Sequence, residues 1–319
     1  MTEGTVLDTV TNVGSVRLTH AVMTASGTSG HGAEFGEYGD LSSIGAVVVK
    51  SLSAEPWAGN PSPRVHPLPG GMINAVGLQG PGVAAWAEHD LRALTAAGAK
   101  VVVSIWGRST AEYAAAAEAI ARVMAEKPES ACVVAIEVNL SCPNVSGHGI
   151  IAHDAEVSAE VIRACRGIGR PVWAKLSPNT DRLVAIAGTV REAGAEAVTL
   201  VNTVTGLVLD PETGRPALGN GGGGVSGRGI HPIAVRAVFD VHASHPDLPI
   251  IGVGGVIDGW TAAELMLAGA SAVQVGTASF ADPRAVFQVA RDLEKWASEH
   301  DFGALSDLVG RAHRGGIHL

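Results

Sequence analysis

Eight short runs rich in Val and Ile recur along the chain, at His20–Ala25, Ala46–Lys50, Lys100–Trp106, Val133–Asn139, Pro171–Leu176, Ala197–Val201, Pro249–Val253 and Ala272–Val275. They are short and lack clean polar–apolar alternation, which is the pattern of strands buried on both faces of a parallel sheet. Helix-forming stretches separate them: Thr110–Ala125, Ala155–Cys165, Arg182–Ala193, Pro232–His242 and Thr261–Leu267. The phrase Ala-Gly-Ala recurs before three of the runs, at 97–99, 193–195 and 268–270. A glycine that closes a helix and leads into a strand is an αβ joint with a left-handed cap. About eight such alternations with no dividing linker predict an α/β fold, a (β/α)8 TIM barrel occupying residues 1–319 as a single domain. A doubly wound open sheet is the rival with the same local pattern.

Two connections are long for a barrel. One runs from Ser51 to about Pro81 and is rich in proline; the other runs from Asp210 to about Gly229 and contains Gly221–Gly224. Long loops in a compact domain are usually binding loops or lids, and in a barrel the loops after the strand C-termini build the active site. The strand ends read Ser26, Lys50, Ser104, Asn139, Lys175, Asn202, Gly254-Gly255 and Gly276-Thr277. A lysine that closes an apolar strand needs a partner for its charge or a route to solvent. Two such lysines, with two amides, favour an anionic, planar ligand. The glycines ending the last two strands offer bare backbone N–H groups where this fold usually binds phosphate.

Charge and cysteine usage narrow the chemistry. Lys plus Arg is 22 against 31 for Asp plus Glu, a formal charge of −9, and there is no basic tract. No nucleic-acid or anionic-membrane partner is expected from that balance. Three scattered cysteines without CxxC spacing predict no disulfide framework, no metal and no iron–sulfur cluster held by this chain. The first residues lack the basic and apolar regions of a signal peptide, and no run of 18 uncharged apolar residues occurs. A soluble, cytoplasmic enzyme is the expectation. Cys132 and Cys165 read as small buried hydrophobes. Cys142 differs: it follows the fourth strand in the polar phrase Asn139-Leu140-Ser141-Cys142-Pro143-Asn144, where a thiol can act above a ligand as base or nucleophile.

That phrase resembles the catalytic-loop signature of class 1 dihydroorotate dehydrogenases. The resemblance extends over nearly the whole chain, through Ala25-Ser26-Gly27, Gly59–Arg64, Asn74–Leu78, Lys175–Asn179, Asn202-Thr203 and Gly223–Gly227 to the terminal glycine pairs. Gly77–Gly82 and Lys175–Asn179 look most like class 1B, the catalytic subunit that works with an electron-transfer partner. The resemblance implies FMN at the barrel mouth, its phosphate at Gly227, Gly254, Gly255, Gly276 and Thr277. Ser26, Lys50, Ser51, Ser104, Asn139 and Val201 would line the flavin, with Lys175 at its N1/O2 edge. It places the substrate on Lys50, Asn74, Ala75, Val76, Gly77, Leu78, Asn139, Asn202 and Thr203, and makes Cys142 the base that takes the C5 proton of dihydroorotate as hydride leaves C6 for the flavin. It also implies pyrimidine synthesis, a homodimer, and a heterotetramer with a subunit carrying FAD and an iron–sulfur cluster. Soluble class 1A chemistry with fumarate is the other outlet. A paralogue acting on another dihydropyrimidine, and a flavin-free lyase or isomerase using Lys175 for Schiff-base chemistry, are the rival functions. The phrase Val103-Ser104-Ile105-Trp106-Gly107 departs from the family's Ala-Asn-Val-Ala-Gly: Ser104 reaches less far than Asn, and Trp106 is bulky.

Overall fold

Eight parallel strands form in the expected places: Val22–Thr24, Val47–Val48, Val101–Ile105, Val133–Asn139, Val172–Lys175, Ala197–Leu200, Ile250–Val253 and Ala272–Val275. They belong to a computed structural model that describes residues 7–140 and 151–317. Seven neighbouring pairs run in parallel register. The ring closes between the first and second strands, where Gly45 N–H donates to the Val22 carbonyl (2.7 Å) and Thr24 N–H to that of Ala46 (3.2 Å). The fold is therefore the barrel, and the open doubly wound sheet is excluded.

Side chains alternate in direction along every strand. Val22, Val47, Val101, Val103, Ile136, Val172, Val198, Ile250 and Val273 pack outward into a core shared with the helices. The inward set forms a separate cluster. Its lowest layer is four alanines from alternate strands, Ala46, Ala135, Ala197 and Ala272, followed by Met23, Val102, Trp173 and Ile251. Four alanines leave the barrel floor open. Val13, Val16 and Leu18 fill it from an N-terminal hairpin, Thr11–Val13 with Val16–Leu18, which the sequence reading did not anticipate. The next layer is Val48, Glu137, Thr199 and Gln274, fully buried, and three of its four members are polar.

The outer helices are Val83–His89, Leu91–Ala96, Thr110–Glu126, Ala155–Ala164, Leu183–Glu192, His231–Ser244, Gly259–Ala268 and Ala285–Glu299. Their starts are written locally: Ser109 and Asp154 accept from first-turn N–H groups, and Asp258 with Thr261 makes a capping box. The three Ala-Gly-Ala joints carry positive φ at Gly98, Gly194 and Gly269.

The two long connections are not irregular loops. Together with Val204–Gly206, which follows the sixth strand, they build a four-stranded antiparallel sheet above the barrel mouth, ordered Val204–Gly206, Gly223–Gly227, Gly71–Asn74 and Val65–Leu68. This gives the glycine run its role. A Cβ on Gly223 would run into the Asn74 backbone, and one on Gly224 into the Thr203 side chain. The absence of side chains lets these segments close on each other.

Candidate active site

The strand C-termini and the antiparallel sheet line a cavity of about 210 Å³ that opens to solvent. Of the residues singled out from sequence, Ser26, Lys50, Ser51, Asn74, Val76, Gly77, Leu78, Asn139, Lys175, Val201, Asn202, Thr203, Gly227, Gly254, Gly255, Gly276 and Thr277 line it. Ser104 and Ala75 do not. Ser104 is buried behind the wall, with its hydroxyl 2.9 Å from that of Ser51, and Ala75 packs with Ile73 and Leu218 beneath the sheet. Cys142 lies outside the described residues. Ala25, Gly27, Thr28, Val65, Met72, Ser226, Ile230, Val253 and Phe280 also line the cavity and were not singled out as site residues.

The ends of strands one, two, three, four and six contribute polar side chains joined in a chain of hydrogen bonds. The Ser51 hydroxyl lies 3.2 Å from that of Ser26 and accepts from Asn139 Nδ2 (3.1 Å); Asn202 Nδ2 donates to Asn139 Oδ1 (3.2 Å). The Tyr113 hydroxyl donates to the Asn139 carbonyl at 2.6 Å and anchors the end of the fourth strand. Asn179 continues the network: its Nδ2 donates to the Thr203 carbonyl and its Oδ1 accepts from Thr205 N–H, so the Lys175–Asn179 phrase holds the loop after the sixth strand. Networked amides of this kind are preorganised, because each fixes its neighbour's rotamer.

The segment from Asn74 to Leu78 is held just as firmly. Asn60 donates to the carbonyls of Val76 and Ala75, and the Trp57 indole N–H to that of Gly77. Trp57 meets the ring of Trp106 edge-on, with centroids 5.9 Å apart, and the Arg108 guanidinium stacks 4.6 Å over Trp57. The bulky Trp106 thus buttresses this loop from behind. Leu78, which lines the cavity, has φ +59, a conformation disfavoured for a bulky side chain.

Strands seven and eight, together with Gly227 at the end of the upper sheet's Gly223–Gly227 strand, contribute bare backbone. Gly227, Gly254 and Gly255 all have positive φ, and a Cβ on them would meet Gly71, Ala234 and His231 respectively, each closer than 3 Å. His231 Nδ1 donates to the Gly254 carbonyl at 2.7 Å and its Nε2 lies 3.1 Å from Glu264, which fixes the cradle from beneath. Thr277 Oγ1 donates to Ser226 Oγ at 2.8 Å. Such a cradle suits a phosphate.

The cavity is cationic. Lys50 and Lys175 line it, and burial with the nearby Arg64 charge pulls the Lys50 ammonium below its ordinary range. His31 behind it is likewise lowered, first by burial and then by Lys50. Lys175 is 5 % exposed, and its Nζ lies 3.7 Å from Oε1 of Glu137, a carboxylate in the fully buried polar layer below. Glu137 was not singled out from sequence, although an acidic residue inside an apolar strand run was the available signal.

Comparison with known proteins agrees with this geometry. A curated relative from Geobacter sp. (strain M21), dihydroorotate dehydrogenase B (NAD(+)), catalytic subunit, is 45% identical over 300 residues, covering 93% of this chain and 96% of that protein. The same-named protein of Desulforudis audaxviator is 44% identical over 310 residues, covering 97% and 98%. The crystal structure of DHODH from Eimeria tenella in complex with ferulenol superimposes with a TM-score of 0.77 at 22% identity, covering 96% of this chain and 89% of that one, which supports the fold. The family model described as dihydroorotate dehydrogenase matches residues 9–296, so strand ends, amide network and glycine cradle all fall within the match and the chain belongs to the dihydroorotate dehydrogenase family.

Proposed function

We infer that the chain oxidises dihydroorotate to orotate in pyrimidine synthesis, with FMN as its cofactor. The observation that carries this is one cavity combining a three-glycine phosphate cradle, two cations and a continuous amide network. FMN fits that donor set: a phosphate answers the cradle, and a ring bearing alternating donors and acceptors answers the amides. When bound it supplies the hydride acceptor. The chain's own residues do the rest. Lys50 answers the substrate carboxylate, and Asn74, Asn139, Asn202 and Thr203 orient the pyrimidine through matched hydrogen bonds. Val76, Gly77 and Leu78 close the substrate side, and Cys142 takes the C5 proton as general base. Lys175 places positive charge where negative charge develops, a preorganised stabilisation.

The relatives' name, catalytic subunit of an NAD(+) enzyme, supports a separate partner subunit that carries the electrons on to NAD⁺. The homodimer, and FAD with an iron–sulfur cluster on that partner, follow from the class 1B resemblance. Anaerobic mixing with dihydroorotate tests the reading. The purified chain reconstituted with FMN should be yellow and bleach within the mixing experiment. A chain that takes up no FMN overturns the reading, and a yellow chain that dihydroorotate does not bleach points to another dihydropyrimidine.

A further inference from the structure

Glu137 sits where a carboxylate is costly. It is 0 % exposed, in the middle of the fourth strand, and points into the barrel below the cavity floor. Its Oε2 accepts from Thr199 Oγ1 (2.9 Å) and Gln274 Nε2 (3.0 Å), from the sixth and eighth strands. Its Oε1 faces Lys175 Nζ at 3.7 Å. Two neutral donors fix one oxygen, which leaves the other turned to the ammonium. Burying an ion pair gains little stability over apolar residues of the same size, whereas losing one partner leaves a buried charge uncompensated. A pair retained at this depth calls for a role other than stability.

We propose that Glu137 is the positioning residue for Lys175: it keeps the ammonium charged and fixed at the cavity floor, so that a cation is already in place when the bound flavin gains negative charge. The proposal rests on the FMN reading above. The groups around the pair bear this out. Val48, Ser104, Thr199 and Gln274 face the same space from other strands, Trp173 lies below Lys175 on its own strand, and none of these side chains titrates in the working range, while Lys50 is the other cation on the described cavity wall. Without Glu137, nothing among these neighbours holds a charge on Lys175, and a buried unpaired ammonium gives up its proton.

The pairing is tested first in the flavin-free chain, by thermal unfolding of Glu137→Gln, Lys175→Met and the double variant. Glu137→Gln keeps the side-chain volume and can still accept from Thr199. The double variant should lose clearly less stability than the two single losses added together, because each single change strands the other group. Additive losses overturn the pairing even where a single variant folds poorly. The functional half is tested by dithionite titration of the FMN-loaded chain in weak buffer, counting protons taken up per flavin reduced. Glu137→Gln should take up about one more proton than the unmodified chain, since Lys175 must then be recharged during reduction. Equal proton counts overturn the role, and failure of the unmodified chain to bind FMN overturns the underlying reading instead. Glu137→Asp should restore the original count.

Discussion

The indole N–H of Trp57 donates to the carbonyl of Gly77 across 3.0 Å, and so ties together two distant parts of the proline-rich connection after the second strand, bracing the Val76–Leu78 segment that lines the cavity. Trp57 is itself held between Trp106 and Arg108. Trp57→Phe retains the ring packing and deletes the donor. The lost bond is worth about 1 kcal/mol, roughly fivefold in affinity. KM for dihydroorotate should rise by that order while the FMN content of the purified chain is unchanged. A loss of FMN without a change in KM would place Trp57 on the wrong side of the site.

The glycines of the last two strands separate fold from function. At Gly255, with φ +69, a Cβ would lie 2.7 Å from the His231 Cβ and 3.0 Å from the Gly227 carbonyl oxygen. Gly255→Ala should therefore lower the melting temperature and abolish FMN retention together. At Gly276 a Cβ would lie 3.4 Å from Ala25 and 3.7 Å from Thr28, which are ordinary contacts. Gly276→Ala should melt normally yet bind FMN more weakly, because it lines the cavity. Differential scanning fluorimetry with an FMN titration reads both, and normal FMN affinity in Gly276→Ala would remove that position from the phosphate site.

The barrel was legible in the sequence because its strands are buried on both faces and so demand unbroken Val–Ile runs, such as Val101–Val103, whatever the rest of the chain does. The upper sheet was not. Gly71-Met72-Ile73-Asn74 and Gly223–Gly227 have weak strand propensity, and they pair because glycine lets two backbones approach, a condition that depends on a segment 150 residues away. The floor hairpin is too short for its alternation to register. The cavity residues Ser26, Lys50, Asn139, Lys175 and Asn202 were readable as strand ends, since a polar side chain closing an apolar run has few other uses, whereas Asn74, Val76, Gly77, Leu78 and Thr203 were named only through the family resemblance. Ser104 shows the limit of that rule: it ends the third strand but hydrogen-bonds backward to Ser51. Glu137 shows another, because its partner Lys175 is on the next strand and the pair exists only once the two strands are in register.

His20 makes stability depend on pH. Its Nδ1 accepts from Val22 N–H at 3.0 Å, and burial pushes the imidazole down to about 4 from its ordinary 6.5. The folded chain thus refuses a proton that the unfolded chain accepts. The contribution is fully present above pH 6.5, is lost as pH falls toward 4, and is constant below that. Its size is at most about 3 kcal/mol, less whatever the Glu294 carboxylate at 3.2 Å returns once the ring is charged. His20→Asn retains an acceptor for Val22 and cannot titrate. Melting curves at pH 7.5 and 4.5 should show a smaller acid-induced drop in the variant; an equal drop would assign the acid sensitivity to other groups.

The electron outlet is tested with the chain alone. Dihydroorotate oxidation should proceed with an artificial dye, fail with NAD⁺, and regain NAD⁺ activity when a subunit carrying FAD and an iron–sulfur cluster is added. Robust turnover with fumarate by the isolated chain would make it a self-sufficient class 1A type and remove the need for a partner.

Cys142, proposed as the base, follows Asn139 by three residues in the sequence, and the Asn139 carbonyl is held by the Tyr113 hydroxyl at 2.6 Å. Cys142→Ala should bind FMN normally, with an unchanged flavin spectrum, yet be reduced by dihydroorotate about 10²-fold or more slowly, the usual worth of a positioned base. Cys142→Ser is the sharper variant. A thiol titrates near about 8.5 and a serine hydroxyl far higher, so the serine variant should recover rate only as pH is raised, with no plateau in the range where the thiol enzyme has already levelled off. Stopped-flow reduction across pH measures both curves. If the two variants and the unmodified chain reduce flavin at the same rate, the base is another group and Cys142 is a loop residue.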